Sequence, residues 1–185
     1  MKRLTIVVAL AIALPASAQY LHLNRVYATG GKSLTTRFGQ SDMQGFDIEY
    51  AHAFSPRMEI GFTFAPMSLK QPKILYGDVY GGGDESLLAM SSSMFARYIF
   101  NADSQRVRPY VELSTGPMWS QKRVPASTSH FNFISQAGAG VTLFPDRRIA
   151  MILGWRFSHI SNAGYAPRNP GLNVNSIVIG AQLRR

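Results

Sequence analysis

Two-residue alternation of large apolar with small or polar side chains recurs along this chain. In 46–54, Phe46, Ile48, Tyr50 and Phe54 share one face, and Asp47, Glu49 and Ala51 the other. The same period runs through 58–65 on Met58, Ile60, Phe62 and Phe64, and through 149–158 on Ile149, Met151, Leu153, Trp155 and Phe157. It returns in 176–183 on Ile177, Ile179, Ala181 and Leu183. A period of two is that of an extended strand, whose successive side chains point to opposite faces. Weaker alternation at 87–100, 109–119 and 130–144, with a first strand inside 20–30, brings the expected number of strands to about eight.

The second face decides the surroundings. It carries Asp47, Glu49, Glu59, Arg97, Glu112 and Arg156 among small residues. A soluble barrel turns its apolar face inward, whereas a membrane barrel turns it to lipid and keeps small and paired charged residues in its lumen. The pattern therefore predicts an all-β fold, an eight-stranded antiparallel transmembrane barrel of outer-membrane type. Arg156 is expected inside, near Glu49, Glu59 or Glu112. A soluble lipocalin-like barrel is the competing architecture on pattern alone.

Connection lengths support the membrane reading. Short links are expected at Ser55-Pro56-Arg57, Asn101 to Val107 and Pro145-Asp146-Arg147, and long loops at 31–43, 68–86, 120–130 and 162–172. Short turns at one end and long loops at the other are the outer-membrane arrangement, with the short turns periplasmic. Tyr98, Phe100, Trp119, Phe131, Phe144 and Trp155 are expected near strand ends, where aromatic girdles meet the interface. Gly81-Gly82-Gly83-Asp84-Glu85 reads as a flexible loop tip rather than a cation site.

The N-terminus explains how the chain would reach that membrane. Lys2 and Arg3, the apolar run Leu4 to Leu14 and Ala16-Ser17-Ala18 form a secretory leader over 1–18, with a barrel domain over 19–185. Without the two leader cations, the formal charge of +9 falls to +7, which suits lipid phosphates and equally suits plain solubility. An exported chain is a poor candidate for nucleic acid. The absence of cysteine removes thiol nucleophiles and thiolate metal sites.

One segment offers chemistry. His159 and Ser161 have the parity of Trp155 and Phe157, so both face the expected lipid side. Residues i and i+2 of a strand lie about 7 Å apart, near enough for an imidazole to take a hydroxyl proton after small adjustment. An imidazole facing lipid is costly unless it has a task or a partner, and an interfacial polar pair is the plainer reading of the spacing.

The run His159-Ile160-Ser161-Asn162-Ala163-Gly164, followed by Asn169 and Gly171, resembles the motif of the lipid A 3-O-deacylase (PagL type) family. The resemblance implies an eight-stranded barrel in the bacterial outer membrane that hydrolyses the 3-O-linked ester of lipid A in the outer leaflet. It requires no cofactor and no metal, and leaves a homodimer open. His159 would be the general base and Ser161 the nucleophile, with the oxyanion site on backbone amides around Asn162 and Gly164 and with Asn169 in the same loop. The family's acidic glutamate aligns with Asn173, which can orient a histidine but cannot offset imidazolium charge. Asn173 has the parity of Ile177, and so the lipid face. The chain also ends Leu183-Arg184-Arg185, without the terminal aromatic common in such barrels.

No nucleophile elbow, His-Glu-x-x-His run or phosphate-binding glycine loop occurs. Two alternatives stay beside the hydrolase: a non-catalytic outer-membrane barrel binding surface ligands or lipopolysaccharide, and a soluble barrel enclosing an apolar ligand.

Overall fold

A computed structural model describes residues 22–33, 40–76 and 79–184. The expected leader lies outside the described residues. Eight strands follow one another: β1 His22–Ser33, β2 Asp42–Ser55, β3 Met58–Tyr76, β4 Val79–Ile99, β5 Val107–Ser120, β6 Phe131–Leu143, β7 Ile149–Ser161 and β8 Leu172–Arg184. Each pairs antiparallel with its neighbours, and β1 closes on β8 to complete the barrel. Closure leaves no sheet edge, which a strand structure inside a bilayer requires.

The alternation maps onto the two sides of the wall. Phe46, Ile48, Phe62, Phe64, Leu113, Trp155 and Ile177 are exposed on the outside, while Arg25, Asp47, Glu49, Glu59, Arg97, Glu112 and Arg156 are buried within. The inside is a connected ionic lattice. Arg25 reaches Glu49 and Glu59 at 2.6 Å each. Arg97 joins Glu112, and also Glu49 at 3.2 Å. Arg156 lies inside as expected, but it is held by Asp47 as well as by Glu112 at 3.3 Å.

The lumen is not charged throughout, contrary to the expectation of small and ionic residues only. Toward the long-loop end Met43, Met67, Leu69, Met118, Ile134 and Ile160 pack into an apolar plug. Leu172 and Val174, the inward neighbours of the first outward positions on β8, belong to that plug. The ends of β7 and β8 therefore have a close-packed backing.

Three further expectations are corrected. Residues 68–86 are not a loop: β3 and β4 continue as a hairpin, with pairing carried as far as Tyr76↔Val79. Asp84 and Glu85 lie in the ribbon, not at a loop tip, with Glu85 bonded to Gln71 and Lys122. Glycines and prolines gave this stretch the look of a turn, and pairing between two long strands overrode them. Trp155 sits at the middle of β7 rather than near its end.

Strand tilt can be read from the register. From Ser86 on β4 the paired positions run through Lys70, Asp42 and Lys32 to Asn175 on β8. They continue through Phe157, Ala137 and Leu113 and return to β4 at Ala96, ten residues from the start. A stagger of this size on eight strands tilts them by about 40° from the barrel axis.

Candidate active site

β7 runs toward the long-loop end and delivers His159 to the outer wall, one outward position before Ser161. β8 returns alongside it with Asn173 directly opposite His159. Parity puts both on the outer face, as the sequence predicts, and the β7–β8 register sets them opposite each other. Asn173 Oδ1 accepts a hydrogen bond from His159 Nδ1–H at 2.6 Å, in an exposed position. That bond assigns the proton to Nδ1 and leaves the lone pair on Nε2, the tautomer a general base needs. On the other side of His159 stands Ser135 of β6, whose hydroxyl is bonded to Thr115 at 2.9 Å.

Ser161 is half-buried and pairs with Phe133. The Phe133 ring meets Phe131 edge-on at 5.3 Å and Tyr165 of the following loop at 6.1 Å. Ser161 thus shares the outer face with His159, two residues back on β7, and sits opposite the aromatic rim at Phe133.

Loop 162–171 is organised by Asn162, whose residue exposure is 1 %. Its backbone N–H donates to Asn169 Oδ1 at 3.0 Å, and its side-chain amide donates to the Arg168 carbonyl at 2.7 Å. Its Oδ1 accepts from the Gly164 N–H at 2.9 Å, and its carbonyl accepts from the Tyr165 N–H at 3.0 Å. The amides of Asn162 and Gly164, expected as oxyanion donors, are both engaged inside the loop. These bonds shape the turn. Ala163, between them, has a positive φ of 52° and donates no hydrogen bond among the described residues.

Gly171 is a residue whose purpose sequence alone did not expose. Its φ is +69°, and a Cβ there would lie 2.9 Å from His159 Cε1. Only glycine accepts the backbone and leaves the imidazole its place.

Comparison with known proteins bears on this geometry. The profile of the family described as lipid A 3-O-deacylase (PagL) matches residues 70–182, which include every residue discussed above for the site. The chain belongs to that family. None of the curated proteins matches the chain in sequence. Among solved structures, the outer membrane enzyme PagL is similar at 17 % identity and a TM-score of 0.58, covering 84 % of this chain and 97 % of that one. Neisserial surface protein A is similar at 14 % identity and a TM-score of 0.60, covering 89 % and 97 %. The attachment invasion locus protein Ail of Yersinia pestis gives 14 % and 0.54, covering 89 % and 99 %. At such identities the structural likenesses speak for the fold alone. Like its family and its structural neighbours, this PagL-family chain is a barrel of the bacterial outer membrane. Nothing in the comparisons supports a homodimer.

Proposed function

We propose that this chain is an esterase of the outer leaflet that removes the 3-O-linked acyl chain of lipid A. The observation that carries the reading is the Asn173–His159 bond on the outer wall, one outward position from Ser161. His159 Nε2 takes the Ser161 proton as Oγ attacks the ester carbonyl. Collapse of the tetrahedral intermediate expels the sugar 3-oxygen, which receives that proton from the imidazole. Water, deprotonated by His159 in its turn, then releases the fatty acid and restores Ser161. With the neighbouring amides engaged, the Ala163 N–H is the donor left in this turn for the oxyanion. Family membership supports the reaction class.

A second reading is a non-catalytic barrel that binds lipopolysaccharide or other surface ligands. It is favoured by Asn173, which supplies no charge to the imidazolium, and by the engaged amides at Asn162 and Gly164. Mass spectrometry of lipid A separates the two. Cells making the wild-type protein should show loss of one 3-O acyl chain, and cells making Ser161→Ala should not. An unchanged lipid A mass with wild-type protein in the outer membrane would favour the binding barrel.

A further inference from the structure

The strand stagger places a cation level with the site. A line along paired positions loses ten residues of height in one circuit of eight strands, so it falls by about 2.5 residues over two strands. From Lys32 on β1 that line passes Asn175 and arrives at Phe157 on β7. His159 stands two residues above Phe157 on the same strand. Lys32 and His159 therefore lie at nearly the same height on the outer wall. Two strand spacings and one two-residue step put their Cα atoms about 12 Å apart.

Lys32 is held more loosely than Lys70 or Lys122. Lys70 is paired with Asp84 at 2.9 Å and Lys122 with Glu85 at 3.0 Å. Lys32 is 3.8 Å from Asp42, and its side chain is 68 % exposed. An ammonium at the limit of ion-pair distance gives up little when a stronger anion arrives. A phosphate offers several acceptor oxygens and a higher charge than one carboxylate. Lipid A carries phosphate on the sugars that bear its acyl chains, so a scissile ester near Ser161 leaves a phosphate within reach of a lysine at this height.

The geometry points to Lys32 as the residue that receives a phosphate of the glycolipid headgroup and so sets the sugar level with Ser161. This rests on the hydrolase reading for its substrate, but its test does not depend on turnover. Affinity is measured in detergent micelles for the full chain carrying Ser161→Ala, with and without Lys32→Ala. The probes are bisphosphorylated lipid A and the same lipid A after phosphatase treatment. Lys32→Ala should weaken binding of the phosphorylated lipid about tenfold and leave the dephosphorylated lipid unaffected. Lys32→Arg should retain most of the affinity, and Asp42→Asn, which frees Lys32, should raise it. Equal affinities with and without Lys32, or an equal loss for both lipids, would overturn the assignment. Failure of the wild-type protein to deacylate either lipid would count against the hydrolase reading instead.

Discussion

His159 and Asn173 face each other across the last strand pair on the lipid side of the wall, joined from Nδ1 to Oδ1 at 2.6 Å. A neutral amide thus does the orienting while contributing no charge. Asn173→Ala should lower kcat for lipid A deacylation with KM nearly constant, because ring orientation is lost and binding is not. Asn173→Glu should raise kcat, by about tenfold or more, since a carboxylate both orients the ring and stabilises the imidazolium. A fall in kcat on Asn173→Glu would show that the pocket is shaped for the amide.

Ser161→Ala and His159→Ala should each abolish deacylation, with losses of at least about a thousandfold in kcat. The double variant should be no worse than either single one, because nucleophile and base act as a unit. Lipid A mass spectrometry with the purified variants gives the rates. Both proteins should still fold, since neither side chain belongs to the buried plug.

Gly171→Ala tests the fit around the imidazole. The new Cβ would meet His159 Cε1 at 2.9 Å on a backbone of positive φ. We expect a loss of kcat together with a destabilisation of about 1 kcal/mol from the strained backbone. Retained kcat would mean that the imidazole can shift without harm.

Glu112→Ala removes a partner from Arg97 and from Arg156 at once. Stripping one member from a buried ion pair costs about 3–5 kcal/mol, far more than the pair itself contributes. The variant should unfold at lower urea concentration in lipid vesicles, followed by the gel mobility of folded and unfolded barrel. Glu112→Gln should fall between it and wild type.

The fold was legible because the bilayer imposes one pattern on every strand. Phe62 out, Glu59 in and the buried position of Arg156 follow from parity alone. Parity also puts Asn173 on the face of His159, while the register sets the two opposite each other. The extension of β3 and β4 was hidden because Pro66, Pro72 and the glycines at 81–83 carry turn chemistry into a paired ribbon. The bonds of Asn162 were hidden for a different reason. Whether a backbone amide is open or engaged depends on loop coordinates, and Asn162 reads identically in either state. The apolar plug escaped notice because Met43, Leu69 and Ile160 lie among many apolar residues, with nothing local to mark a second layer.

The proposed active centre on the outside wall would have its rate governed by the leaflet. On the proposed hydrolase reading, substrate meets Ser161 by sliding within the leaflet, without a step through water. The concentration that matters is then the mole fraction of lipid A at the surface, not its amount per volume of suspension. Diluting lipid A with an inert detergent should slow the reaction at fixed bulk concentration, and diluting the whole suspension with buffer should not. For such a protein the membrane is both the scaffold's solvent and the reaction medium, so a change in leaflet composition acts as a change in substrate supply.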